Sequence, residues 1–186
     1  MGLIRIVGGS LRGRRIEVPE QGVRPTSEKT REAIFDLLGP DLVVGARVLD
    51  LYAGTGALGI EALSRGAVFA DFVEKDSDTA RRLARNLAAL GLAGGGRVHR
   101  ADLDRGGLPP AVKGPWRIVF LDPPYAGGAG ARWLAALAAM EWGPEGGVVV
   151  HERGKGSEAA APAGLELWKE RKYGDTTVAI YRREGV

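Results

Sequence analysis

Gly54-Thr55-Gly56-Ala57-Leu58-Gly59 lies between the apolar run Val48-Leu49-Asp50-Leu51 and the helical stretch Leu58 to Ser64. It is the feature that most narrows the folds open to this chain. Glycines at G-x-G-x-x-G spacing let a strand turn sharply into a helix and let the backbone approach a ligand closely. Glu74 closes the next apolar run twenty positions after Gly54, where an acid can take a pair of ribose hydroxyls. The pattern predicts a nucleoside-binding turn at the carboxyl edge of a sheet, and taken alone it leaves a nicotinamide enzyme open.

From Arg47 onward strands and helices alternate. Strands are expected at Val48–Leu51, Phe69–Val73, Arg97–Arg100, Arg117–Leu121 and Gly147–His151, with helices at Leu58–Ser64, Asp76–Leu90 and Ala129–Met140. Leu165–Lys169 and Thr177–Tyr181 read as a terminal antiparallel pair, and Gly154–Gly164 as a mobile loop. Such alternation predicts an α/β fold with a mostly parallel sheet and helices on both faces. Ahead of it, Leu3 to Val18 alternates weakly around Gly8-Gly9-Ser10 and Gly13, a β-hairpin with an arginine-bearing tip. Val23-Arg24-Pro25-Thr26 leads into a helix that starts near Thr26 or Ser27 and stops at Gly39-Pro40. Residues 1–40 are expected as an extension on a domain formed by residues 41–186.

At 186 residues the chain can bury a core of ordinary size. It has no cysteine, which removes disulfides, thiolate nucleophiles and zinc-thiolate clusters. His99 and His151 stand alone and are expected as strand residues filling space or touching solvent, so no metal site is expected. No apolar run is long enough to span a bilayer, and Met1 to Ile16 lacks a signal peptide's apolar core, so a soluble cytoplasmic protein is expected. A monomer is the separate expectation for its assembly. The net charge is only +3 but is unevenly placed. Arg5, Arg12, Arg14 and Arg15 precede the first acid, Glu17, and Arg24, Lys29 and Arg31 follow soon after. A polyanion footprint and a merely solvated face are the two readings of that segment.

Asp122-Pro123-Pro124-Tyr125 follows directly on Ile118-Val119-Phe120-Leu121. Proline cannot continue a ladder and holds the preceding residue extended, so an acid, two rigid carbonyls and a ring are fixed at a strand's carboxyl end. Ligands bind at that edge in open parallel sheets. Acceptors beside a stacking face suit a flat base bearing an exocyclic amine. Asp50 lies inside the first strand of the alternating region, where it can meet a cationic group, and Asp102, with Leu103 beside it, follows the third. Acids at the amine, ribose and adenine of one ligand favour S-adenosylmethionine over a dinucleotide. Asp50, Ala53, Gly54, Thr55, Gly56, Glu74, Asp102 and Leu103 are the candidate cofactor residues. A nicotinamide oxidoreductase leaves Asp122 to Tyr125 without a use.

Val48 to Gly59, Glu74, Asp102 and Asp122 to Tyr125 together resemble the class I S-adenosylmethionine-dependent methyltransferases that modify exocyclic amines. More narrowly, the chain resembles the RsmD family, the guanine-N2 methyltransferases of 16S ribosomal RNA. That likeness rests on Arg5-Ile6-Val7-Gly8-Gly9, Arg12-Gly13-Arg14, Arg24-Pro25-Thr26, Arg31-Glu32, Asp50 to Gly59, Glu61 to Ala67 and Tyr173-Gly174-Asp175-Thr176, and so covers essentially the whole chain. Tyr52 stands where phenylalanine is expected and Thr55 where serine is common. The resemblance implies a Rossmann-like seven-stranded sheet with a hairpin extension, and methylation of one guanine in the assembled or assembling small subunit.

On that resemblance Gly54, Gly56, Glu74 and Asp102 line the cofactor. Asp122, Pro123, Pro124 and Tyr125 hold the base. Arg5, Arg12, Arg14, Arg15, Arg24, Thr26, Lys172 and Tyr173 are the candidate RNA contacts. Adenine-N6 or another exocyclic-amine methylation on nucleic acid is the alternative, because acid- or amide-Pro-Pro-aromatic sets serve those reactions too. A non-catalytic RNA-binding or assembly factor is disfavoured by the intact acids.

Overall fold

The computed structural model describes residues 2–19, 26–124, 128–140, 142, 146–154 and 161–183. The N-terminal segment forms an antiparallel pair, β1 (Gly2–Arg5) and β2 (Arg15–Val18), as a separate two-stranded sheet. Helix α1 (Glu28–Leu38) begins where the Ser27 hydroxyl accepts the Thr30 N–H at 3.1 Å. Gly39, at φ 74°, ends it, and Pro40 does more than stop the chain: it opens a further short helix, α2 (Pro40–Val43). Proline is well placed at a first helical turn, where its missing N–H is not needed.

The main sheet is built from β3 (Arg47–Leu51), β4 (Phe69–Glu74), β5 (Gly96–Arg100), β6 (Ile118–Leu121), β7 (Val148–Gly154), β8 (Leu165–Tyr173) and β9 (Thr176–Arg183), in the order β5-β4-β3-β6-β7-β9-β8. β5 to β7 run parallel through β4, β3 and β6, whereas β9 pairs antiparallel with both β7 and β8. The strand order reverses between β3 and β6, which places a crevice at their carboxyl ends. The terminal pair is longer than the sequence pattern indicates. β8 runs to Tyr173 and turns through Gly174-Asp175 straight into Thr176, with a bulge between Leu167 and Lys169 breaking the alternation. Most of the Gly154–Gly164 segment lies outside the described residues.

Period-two alternation sorts the strand side chains onto two faces. Val48, Ile118, Phe120, Val148 and Val150 pack with Ile34 and Phe35 of α1, Ile60 of α3 (Ala57–Ser64) and Leu83 and Leu87 of α4 (Ser77–Ala89). Leu49, Leu51, Val119, Leu121 and Val149 pack with Trp133, Leu134 and Leu137 of α5 (Ala129–Ala138). The hairpin shares the first layer through Ile6, Ile16 and Val18. Its seating is polar: Glu61 accepts the N–H groups of Val7 at 2.9 Å and Gly8 at 2.7 Å, and the Asn86 amide exchanges hydrogen bonds with the Glu17 backbone at 3.0 and 2.9 Å. Gly9 is required there, since a Cβ would stand 1.9 Å from the Ser64 carbonyl oxygen.

Candidate active site

A cleft of about 590 Å³ opens along the carboxyl ends of β3, β4 and β6. Its cofactor side is organised by Glu74, the last residue of β4. One carboxylate oxygen accepts the Gly54 N–H at 2.8 Å and the other accepts the Asp76 N–H at 2.8 Å. Each carboxylate oxygen has a second lone pair, so Glu74 still has acceptor capacity towards the cleft. Val73, Ala101 and Leu103 supply an apolar slot beside it.

Of the expected cofactor residues, Gly54, Glu74 and Leu103 line the cleft, whereas Ala53, Thr55 and Gly56 are buried and do not line it. Gly56 is left-handed, at φ 75°, and a Cβ on it would meet Leu83 at 2.2 Å, so its smallness serves packing against α4. Asp50 is buried in the first core layer, where its carboxylate accepts the Gly59 N–H at 3.0 Å, and it does not reach the cleft wall. Burial pushes its pKa up to about 8, opposed by the Gly59 hydrogen bond and reinforced by Glu74. Asp102 is partly exposed and takes the Asp104 N–H at 3.0 Å; the residues on either side of it, Ala101 and Leu103, face the cleft instead.

The opposite wall holds Asp122, Pro123 and Pro124; Tyr125 and Arg24 lie outside the described residues. Burial raises the Asp122 pKa well above the usual carboxylate range, and the nearby carboxylates of Glu152 and Asp50 push it further. Thr26 and Tyr173, expected as RNA contacts, both line this same wall. The sequence reading missed Glu152, which ends up beside Asp122. The signal was a carboxylate two positions after the apolar run Val148-Val149-Val150, level with Asp122 because Leu121 pairs with His151. The Thr26 hydroxyl donates to Glu152 Oε2 at 3.0 Å. The side chain of Tyr52 was also missed. It adopts φ 57°, lines the cleft, donates to Asp104 at 2.7 Å and accepts the Trp133 indole N–H at 3.0 Å. Left-handed backbone in a non-glycine residue costs about 1–3 kcal/mol and needs surrounding contacts of that kind to persist.

The two histidines are placed differently from one another. His151 is buried in β7, and burial lowers its pKa to about 4, leaving it neutral. His99 Nε2 lies 2.8 Å from the buried Asp71 carboxylate, a paired role rather than simple space filling.

The candidate RNA-binding arginines divide by position. Arg5 pairs with Glu28 at 2.8 Å near the start of α1. Arg14 donates to the Ala89 carbonyl at 2.8 Å, at the carboxyl end of α4. α4 starts just after Glu74 and rises about 1.5 Å per residue, so this end lies roughly 20 Å along the helix from the cleft. Arg12 and Arg15 are exposed on the same hairpin, and Lys172 is exposed on β8 next to Tyr173.

The reversal in strand order, the glycine turn seated on Glu74 and the acid-Pro-Pro set on the neighbouring strand define an S-adenosylmethionine-dependent methyltransferase of the Rossmann-like class. The residues fit that cofactor: Glu74 has acceptors for ribose hydroxyls, and Val73, Ala101 and Leu103 offer an apolar slot for a purine.

The chain belongs to the RsmD family, whose model, described as Conserved hypothetical protein 95, matches residues 4–182. It is 38% identical over 186 residues to the ribosomal RNA small subunit methyltransferase D of Escherichia coli K12, covering 98% of this chain and 91% of that protein. The enzyme of the same description from Haemophilus influenzae is 30% identical over 184 residues, covering 97% and 94%. The solved structure of yhhF from Escherichia coli superposes with a TM-score of 0.85 at 35% identity and covers both chains completely. No helix among the described residues is long and apolar enough to cross a membrane.

Proposed function

We propose that this chain transfers a methyl group from S-adenosylmethionine to the N2 amine of one guanine in 16S ribosomal RNA, within the small subunit or its assembly intermediate. The observation that carries this reading is the placement of Asp122 and Pro123 on the wall opposite Glu74 in one cleft. S-adenosylmethionine supplies an electrophilic methyl carbon on a sulfonium leaving group. The guanine amine is a weak nucleophile because its lone pair is conjugated into the ring. Asp122 and the Pro123 carbonyl accept its two N–H bonds, which favours a tetrahedral nitrogen with its lone pair turned out of the ring plane. Holding the amine in that orientation supplies much of the rate. As the N–C bond forms, the nitrogen sheds a proton, and Asp122, with its raised proton affinity, is placed to take it.

Tyr125 supplies the stacking face for a base drawn out of its helix or loop, returning about 1–3 kcal/mol. Residues 1–40 act as the RNA-contacting extension to the methyltransferase domain of residues 41–186. Arg5 and Arg24, with Lys172, take phosphates near the target, and Arg15, next to Arg14, takes them further along the hairpin. Arg12 and Arg14 lie at the far end of α4 and take phosphates well away from it. A footprint of that length suits a folded RNA in a particle better than an isolated nucleotide. The enzyme acts in this reading as a cytoplasmic monomer.

The test is methyl transfer from labelled S-adenosylmethionine to unmodified small subunits, followed by nucleoside digestion and mass spectrometry. Label in N2-methylguanosine supports the reading. Label in N6-methyladenosine keeps the chemistry and replaces the substrate.

A further inference from the structure

Tyr52 carries a hydroxyl at a position where phenylalanine is expected, and the chemistry of methyl transfer gives that hydroxyl no part. The residue follows β3 directly, in left-handed backbone at φ 57°, and lines the cleft. Its hydroxyl donates to Asp104 Oδ1 at 2.7 Å and accepts the Trp133 indole N–H at 3.0 Å. The same Asp104 oxygen takes the Arg132 guanidinium at 2.8 Å. A phenol has a single proton to donate, and here it is committed to a carboxylate.

The network joins three separate parts of the chain. Asp104 follows β5, Tyr52 follows β3, and Arg132 and Trp133 belong to α5, which comes after β6. In the sheet β5 and β3 flank β4, the strand that ends in Val73 and Glu74, so the Tyr52–Asp104 contact bridges the two neighbours of the central cofactor strand. Ala101 and Leu103, the apolar wall of the cleft, lie immediately before Asp104. The backbone of their turn bonds to itself: the Asp104 N–H reaches the Asp102 carboxylate at 3.0 Å, and the Gly106 N–H the Asp102 carbonyl at 2.8 Å. The Asp104 carboxylate ties that turn to β3 and α5.

We propose that Tyr52 is a positioning residue for S-adenosylmethionine, whose hydroxyl holds Asp104 against α5 and so fixes the Ala101–Leu103 wall of the purine slot before the cofactor arrives. A wall that is already ordered adds no ordering cost to binding. The contacts also account for a non-glycine residue persisting in left-handed backbone at this turn. The proposal rests on the reading of Val73, Ala101 and Leu103 as the purine slot and is independent of which amine receives the methyl group.

The test is Tyr52→Phe, which keeps the ring and removes the hydroxyl. Calorimetry should show S-adenosylmethionine bound more weakly by roughly threefold to tenfold, the scale of one partly exposed hydrogen bond. Methylthioadenosine, which has the nucleoside but lacks the amino-acid chain, should lose the same factor. A loss confined to S-adenosylmethionine would place the effect at the amino-acid end and overturn the proposal. In methyl transfer the KM for S-adenosylmethionine should rise by that factor while kcat at saturating cofactor stays unchanged. A hydroxyl that only supported the fold would lower the active fraction, so a fall in kcat at constant KM overturns the proposal.

Asp104→Ala removes the acceptor at a partly exposed position and should weaken both ligands at least as much. Adding Tyr52→Phe to it should cost nothing further, because the same contact is already gone; losses that multiply would mean separate roles and overturn the proposal. Unchanged nucleoside affinity in Asp104→Ala also overturns it, and that measurement decides the matter should Tyr52→Phe not fold. If the native protein bound S-adenosylmethionine but not methylthioadenosine, the purine-slot reading itself would fail, and the proposal with it.

Discussion

The Thr26 hydroxyl and Glu152 carboxylate meet at 3.0 Å although 126 positions separate them in the chain. The contact ties the start of α1, the first helix after the arginine-bearing hairpin, to the strand beside Asp122. Thr26 is positioned in turn by Arg31, a fully buried guanidinium that donates to the Thr26 carbonyl at 2.7 Å and to the Arg5 carbonyl at 2.6 Å. One arginine thus links the hairpin, the helix entrance and the cleft wall.

Thr26→Val removes the hydroxyl at nearly constant volume. Methyl transfer to small subunits should fall by roughly tenfold, the scale of one hydrogen bond to a charged group. S-adenosylmethionine binding, measured by calorimetry, should be unaffected because Glu74 and Leu103 are untouched. Equal losses in cofactor binding and transfer would mean that the hydroxyl supports the fold rather than the target wall.

Asp122 must be ionised to accept its N–H of the target amine and to take the released proton, and its pKa is raised by burial first, then by Glu152 and Asp50. Single-turnover rates should therefore climb with pH and level off only well above the ordinary carboxylate range near pH 4. Removing a negative neighbour lowers that pKa, so Glu152→Gln should shift the rising limb to lower pH. Asp122→Ala should abolish turnover while leaving the cofactor bound. A flat profile between pH 5 and 9, with full activity at both ends, would remove Asp122 from the role given to it.

The strand ends that build the cleft are legible in sequence because they combine three local signals: an apolar run, an acid and a chain-turning residue. Asp122-Pro123-Pro124 and the Gly54 to Gly59 turn both carry them, and both lie where expected. Glu152 lacks the third signal, since β7 continues to Gly154 instead of stopping at the edge. The pairing of Asp122 with Glu152 depends on strand register, which no local pattern reports. Asp50 and Asp102 show the converse limit. Their spacing matches acids that face a ligand, whereas Asp50 is turned into the core towards Gly59 and Asp102 outward towards Asp104. The length of β8 is hidden by its bulge, which breaks the alternation a strand reading depends on.

Asp50 also makes stability depend on pH. Its pKa in the folded protein is about 8, against about 3.9 for an unfolded chain. The folded state therefore favours the protonated acid. That contribution is complete below the unfolded value and is lost as pH rises through about 8. Urea midpoints should fall between pH 6 and pH 9, by an amount on the order of a few kcal/mol in unfolding free energy. Asp50→Asn keeps an acceptor for the Gly59 N–H without the charge, so its midpoint should fall less over the same interval. The slope that remains belongs to Asp122, which shifts in the same direction. A variant as pH-sensitive as the native protein would place the titrating group elsewhere.

Arg12 and Arg14 test whether the hairpin tip is a footprint or a solvated face. Arg14 reaches α4 at Ala89, far from Glu74, so neither residue can touch the reacting base. Replacing both with glutamine should weaken binding of the small subunit and leave the single-turnover rate at saturation unchanged. Each phosphate contact that is lost removes about 0.7 from the slope of log affinity against log salt for single-stranded segments. The double variant should therefore have a slope shallower by roughly 1.4. Because the hairpin is also clamped by Glu61, Ser64 and Asn86, loss of the exposed Arg14 to Ala89 hydrogen bond should lower stability only slightly and leave the fold intact. An unchanged slope would return these arginines to solvent and confine the RNA contact to Arg5, Arg15 and Arg24, with Lys172 at the edge of the cleft. A shallower slope with full chemistry at saturation would separate long-range docking on the hairpin from the chemistry in the cleft.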